Sequence, residues 1–207
     1  MSEPRKRVRR SAQASKLAIL QAAEARLIAQ GPDAVRVQPI ARDLGLTDAA
    51  VHYHFGSREQ LLEALLRYSG RRFLDELAAA IAAHRAEGIG FDLARAAALL
   101  ADFYDRKGAA RLVMWLSFSG WRPEGAGMLS PLVDWLHEDR SAGALAQGAP
   151  VPTREDSQYA IALLSASAMS QALFGDALLR SVDLDPAKAG ELTDWLTSLL
   201  TDQAVSS

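Results

Sequence analysis

Side chains able to do chemistry crowd into residues 48–58, Asp-Ala-Ala-Val-His-Tyr-His-Phe-Gly-Ser-Arg. Metal binding is the first chemistry to weigh, because His52 and His54 are two of only four histidines. At spacing i, i+2 on a helix they point to different faces, and the chain has no Cys and no acidic cluster to complete a ligand set. No metal site is expected. Recognition is the second. On a helix from about Asp48 to His54, Val51 and, one turn on, Phe55 would share a buried side. Asp48, Ala49, His52 and Tyr53 would stand on the exposed side, suited to base edges in a DNA major groove and to nearby phosphates. His54 joins this candidate set. Arg58, at the start of the next helix, can pair with phosphate, as can that helix's N-terminus. Gln38 and Arg42, one helix earlier, suit either a solvated face or a phosphate contact.

Catalytic signatures are missing. There is no phosphate-binding glycine loop followed by Lys, and Gly88-Ile89-Gly90 and Gly125-Ala126-Gly127 lack the third glycine of a dinucleotide site. His137-Glu138-Asp139 has no second His four or five residues on. The absence of Cys removes thiol nucleophiles and disulfides. The chain is not read as an enzyme, and no cofactor is expected. An all-α enzyme with a basic leader and a sequence-blind architectural DNA binder remain as rival classes.

The elements that position these groups are helical. Ala and Leu, 39 and 30 of 207 residues, are strong helix formers, and no alternating β-branched run is present. Gly and Pro clusters cut the chain at 31–33, 45–47, 56–57, 88–90, 107–108, 120–127, 143–152 and 182–186. Between the cuts, apolar residues recur at three and four, as in Leu61/Leu62, Leu65/Leu66, Phe73/Leu74 and Leu77. The pattern predicts an all-α chain of about nine helices, three short ones before Gly56 and six longer ones after. Residues 37–58 read as a helix-turn-helix. Ala41 is small enough for a close crossing, and Gly45 can take the left-handed turn that ends the first helix. Either Thr47 or Asp48 can cap the second helix, and Ser57 with Gln60 forms a capping box for the one that follows.

The formal charge of -2 hides an asymmetry. Residues 1–60 carry ten basic and six acidic side chains, a formal +4, while the rest carries thirteen and nineteen, or -6. A basic module on an acidic body suggests a polyanionic partner, and the basic run at 5–10 could follow a DNA backbone or enter a minor groove. No export signal is visible. The longest uncharged stretch, 158–175, is short and rich in Ser and Gln, so no membrane span is expected and the cytoplasm is the default.

The ordered set Ile40-Ala41, Gly45-Leu46-Thr47, Val51-His52-Tyr53-His54-Phe55 and Ser57-Arg58-Glu59-Gln60-Leu61-Leu62 resembles the TetR family of bacterial one-component transcriptional regulators, over about residues 15–66. There are departures. His52 stands where the family usually has Tyr, Ala50 replaces Thr or Ser, Arg58 replaces Lys, and Val37 and Pro39 occupy positions where a hydroxyl cap is common. The resemblance implies a DNA-binding domain at 1–57 and a helical effector-binding and dimerisation domain at 58–207, joined by the helix that starts near Arg58. It implies a homodimeric repressor on a palindromic double-stranded operator, released by a small, apolar effector. It also implies an effector cavity, for which Phe103, Met114, Trp115, Phe118, Trp121, Trp135 and Met169 are the candidate lining, with Arg111, Arg122 or His137 as possible orienting groups. Ser157–Leu179, apolar on most sides, must be buried on most sides. With Pro186–Asp202 it would make half of a four-helix dimer interface, the alternative being an internal core helix of a monomer.

Overall fold

A computed structural model describes residues 12–90, 93–122 and 127–203. The basic run at 5–10 lies outside the described residues. Among the described residues the fold is all-α, with nine α-helices and no strands. In chain order they are α1 (Ala12–Gln30), α2 (Val37–Leu44), α3 (Asp48–Phe55), α4 (Arg58–Glu87), α5 (Leu93–Ala101), α6 (Ala109–Phe118), α7 (Ser130–Gln147), α8 (Arg154–Ser181) and α9 (Ala189–Gln203). Short 3-10 turns at Pro32–Ala34 and Pro186–Lys188 precede α2 and α9, and a π-helical turn, Asp102–Arg106, follows α5.

Helix lengths differ from the expected three short and six longer pieces. α1 runs for 19 residues because nothing between Ala12 and Gln30 interrupts it until Gly31-Pro32. α5 and α6 have only 9 and 10 residues, because the π-helical turn and the left-handed Gly108 separate them. The break expected from Gly143 onward begins five residues later. α7 continues through Gly143 and stops at Gly148, which takes the left-handed conformation. An isolated glycine costs a packed helix only about 1 kcal/mol relative to alanine, so it need not end one.

Two compact units divide the chain, Met1–Tyr68 and Ser69–Ser207, the division falling inside α4. In the first, α1 packs on α2 and α2 on α3 around a core of Ile19, Ala23, Leu27, Val35, Ile40, Ala41, Val51, Leu61, Leu62 and Leu65. Arg26 ties α1 to α2 through an ion pair with Asp43 at 2.5 Å. Arg58 reaches back across the sequence, its Nε donating to Val35 O and its Nη2 to Pro32 O, both at 2.8 Å. Two parallel N–H donors of one guanidinium thus close the α1–α2 connection over the start of α4, a geometry that lysine's single ammonium lacks.

In the second unit α8 packs against α5, α6, α7 and α9. Phe73, Leu77, Leu100, Phe103, Leu132, Trp135, Leu136, Ile161, Leu164 and Leu196 fill the space between. The Phe73 and Phe103 rings lie 4.7 Å apart, so the π-helical turn contributes a large side chain to this core. Lys107, just after that turn, pairs with Glu76 of α4 and with Asp102. Hydrogen bonds from its ammonium to these two carboxylates hold its pKa above the ordinary value against the opposing effect of burial. With its flanks, the uncharged 158–175 stretch becomes α8, long and apolar enough by length and composition to cross a membrane. In the fold, Ala160, Ile161, Leu164 and Leu179 of this helix are buried against protein.

If Arg58 braces the first unit, Arg58→Lys keeps the charge and loses the brace. Hydrogen bonds to a charged group contribute about 1.5–3 kcal/mol when buried; discounting for partial exposure leaves about 1–2 kcal/mol. Amide exchange in α2 and α3 should quicken roughly fivefold to thirtyfold at native conditions. Unchanged exchange would show that the two carbonyl contacts carry no stability.

Candidate nucleic-acid interface

An exposed helix of eight residues needs its ends fixed, and both ends of α3 are. Before it, Gly45 adopts φ 64° and ψ 31°, and its N–H closes α2 on Ala41 and Arg42 carbonyls. Thr47 is the N-cap, its Oγ1 accepting from Ala50 N at 3.2 Å. After it, Gly56 sits at φ 75° with its N–H on His52 O, and a Cβ there would fall 2.0 Å from Gln60 Oε1. Gln60 Oε1 accepts from Ser57 N at 2.9 Å while Ser57 Oγ accepts from Gln60 N at 3.2 Å, a reciprocal capping box that starts α4. By contrast, α2 begins at Arg36 without any side-chain cap, as the Val37 and Pro39 departures suggested.

Along α3, Val51 and Phe55 are buried, and Lys16 of α1 places its ammonium 5.6 Å from the Phe55 ring centre. The opposite side carries Asp48, Ala49, His52 and Tyr53, all exposed, Tyr53 at 84%. His54 is half-buried, edge-on to Tyr53 at 5.4 Å and to Phe55 at 6.4 Å. Gln38 and Arg42 are exposed on α2. Gly56 O can only accept, so the 2.6 Å contact from His52 Nδ1 requires the proton on that nitrogen. The His52 ring is therefore held across the end of α3, and its Nε2 can donate outward only when the ring is protonated. Arg58 differs from its neighbours. Its guanidinium is half-buried and engaged with Pro32 and Val35, with Asp33 Oδ1 3.6 Å away.

Cap bonds also shift two carboxylates. A backbone hydrogen bond, then the Ser57 hydroxyl, holds Glu59 at the start of α4 below its ordinary value. Thr153 does the same to Asp156 at the start of α8, mainly through its hydroxyl and then its N–H. Among the described residues no group of His and acidic side chains could hold a metal ion.

The aromatic set suggested for an effector cavity is dispersed in environment. Phe103 and Trp135 are buried in the core, and His84 lies against Trp135 with ring centres 5.6 Å apart. Met114, Trp115, Trp121 and Met169 are half-buried, while Phe118 is 83% exposed. Arg122 donates to Trp121 O at 3.2 Å, and Arg111 is also engaged. Two clefts of the second unit are lined by other residues. One, of about 320 Å³, lies along Arg140, Val151, Thr153, Asp156, Tyr159 and Leu163. Another, of about 270 Å³, lies along Ala97, Asp105, Ser167, Gln171, Asp176 and Thr193. Periodicity could not reveal either, because small and polar side chains form much of their walls.

Comparison with known proteins agrees with this geometry. Residues 19–65 match the model of bacterial regulatory proteins of the tetR family. No curated protein matches the chain. Among solved structures, one described as the molecular basis for control of antibiotic production by bacterial hormones has a TM-score of 0.61 at 22% identity, covering 93% of this chain and 97% of that one. A putative transcriptional regulator from Saccharomonospora viridis, in complex with choline, has a TM-score of 0.56 at 20% identity, covering 92% and 95%. The transcriptional regulator FadR from Bacillus subtilis, in complex with stearoyl-CoA, has a TM-score of 0.50 at 16% identity, covering 88% and 97%. At these identities the structural likeness establishes the fold, and the motif-bearing segment supplies the kinship. Over residues 19–65, its N-terminal helix-turn-helix, this chain carries the domain described for bacterial regulatory proteins of the tetR family.

Proposed function

We propose that the protein is a ligand-responsive repressor that reads a palindromic operator as a homodimer and is released by a small, largely apolar effector. DNA reading is assigned to residues 1–57, and effector binding and self-association to 58–207. The reading rests on one observation above others: α3 is capped at both ends and presents Tyr53, almost fully exposed, beside Asp48, Ala49 and His52. An aromatic side chain left in water on a small anchored helix is a contact awaiting a partner, and the family supplies DNA as that partner. Tyr53 would read a base edge, with His52, His54, Gln38 and Arg42 serving nearby contacts. The protein acts in the cytoplasm, where operator DNA lies. The complexes with stearoyl-CoA and choline in structures of like fold support a small-molecule effector.

The dimer reading is supported by the outer side of α8 and α9. Tyr159, Leu163, Phe174 and Leu178 form one stripe along α8, and Trp195 and Leu199 sit one turn apart on α9, all exposed. Several large apolar side chains left exposed on two neighbouring helices favour an interaction site, and a second copy supplies the same side chains in reverse. In a two-fold dimer the recognition helices meet half-sites about 34–36 Å apart.

Selection of bound duplexes from a random pool should return a palindrome, with log affinity falling against log salt at a slope of about -5 to -7 for three or four phosphates per half. A flat salt dependence of the intact protein would overturn DNA binding. Tyr53→Phe or Tyr53→Ala should alter preference at one base position by about 1–3 kcal/mol without loss of helicity; a uniform change at all positions would mean that Tyr53 reads no base. For the dimer, Phe174→Glu with Trp195→Glu should give a monomer in sedimentation and weaken binding to the full palindrome far more than to a half-site. A double variant that still sediments as a dimer would remove this face from the interface.

A further inference from the structure

Buried polar atoms nearly always find partners, so a concentration of orphans requires an explanation. On the facing turns of α7 and α8, His137 Nδ1, Arg140 Nη1, Ser141 Oγ and Ser157 Oγ are all buried without a hydrogen-bond partner. Arg140 among them opens onto the cleft of about 320 Å³. Two other polar residues of that wall are engaged with each other: Asp156 Oδ2 accepts from Thr153 N at 2.7 Å and from Thr153 Oγ1 at 2.6 Å, in the capping box of α8. Arg140 thus lines the cleft while its Nη1, behind the surface, has no partner. Burial works against its charge, and the field of Asp156 offsets this only in part. Much of the remaining lining is apolar, with Val151, Leu163 and the ring of Tyr159, whose hydroxyl donates to Glu155 Oε1 at 2.7 Å, each about half exposed or more.

We propose that this cleft binds a small amphiphile bearing one carboxylate, with the carboxylate on Arg140 and the apolar part along Val151, Tyr159 and Leu163. A guanidinium fork offers parallel donors matched to a carboxylate, and a mostly apolar cleft with one such group orients its ligand. The volume lies at the lower end of the range of about 300–1,000 Å³ for small-molecule sites, so a short-chain or medium-chain acid fits better than a long one. None of the aromatic residues suggested by the sequence lines this cleft. As a site of regulation the cleft rests on the effector reading above; as a binding site it stands alone.

Calorimetric titration of the full chain with octanoate and with octanamide tests it. Octanoate should bind at least tenfold more tightly than the amide. Arg140→Met should remove that preference while leaving amide binding unchanged, and Val151→Trp, which fills the cleft without touching the charge, should weaken both ligands at least tenfold. Absence of octanoate binding, equal affinity for acid and amide, or indifference to both substitutions would overturn the proposal. A parallel operator-binding titration separates the two readings. Octanoate that binds through Arg140 and leaves operator affinity unchanged supports the site and overturns its use for regulation. Operator release by octanoate that Arg140→Met leaves intact supports the effector reading and overturns this site.

Discussion

Eight residues of α-helix do not hold their shape in water, because nucleation costs more than so few hydrogen bonds return. Everything about the first unit follows from the need to present such a helix, α3, with one side bare. Burial of Val51 and Phe55 supplies the stability that α3 lacks by itself, and Thr47, Gly45 and the His52–Gly56 contact fix its ends. The neighbours α1 and α2 are needed because two buried side chains require a core to enter. Arg58 ties the start of α4 to the 31–36 connection by donating to Val35 O and, beside the Val35 N–H, to Pro32 O. A rigid reading helix lets side chains meet base edges without first paying to become ordered.

The second unit solves a different problem. α8 is apolar around much of its circumference, and within one chain α5, α6, α7 and α9 cover only part of it. Small residues such as Ala160, Ala168 and Ala172 let neighbouring helices approach, and the same smallness leaves the shallow clefts on either side. What remains uncovered is large and apolar, including Phe174 and Trp195. Close packing on the inner side and exposure on the outer side are thus two results of one composition.

The all-α class, the turn at Gly45, the capping box at Ser57 and the two faces of α3 were legible in the sequence, because each depends on residues within a few positions of each other. Charge patterning was legible too: a +4 segment beside a -6 remainder survives any folding. What could not be read depends on contacts between distant positions. Sequence shows the charge of Arg58 but not its bonds to the carbonyls of Pro32 and Val35, more than twenty residues away. Phe103 and Trp135 looked like cavity lining because an aromatic residue that fills a core and one that borders a hollow have the same periodicity. Arg140 drew no attention at all, since a missing partner has no signature in sequence.

Two residues belong to both features of the second unit. Tyr159 and Leu163 line the Arg140 cleft and also begin the exposed stripe of α8. A ligand lying against them changes the surface that a second copy would meet, whichever way its polar end points. Linkage then requires reciprocity: if the ligand weakens association by some factor, association weakens ligand binding by the same factor. A coupling of about 1–3 kcal/mol would change dimer affinity by roughly fivefold to 150-fold. On the proposed reading, in which a dimer reads a palindrome, a change of that size at the α8 surface would reach the operator through the population of dimers alone. No contact between ligand and the DNA-reading unit is needed.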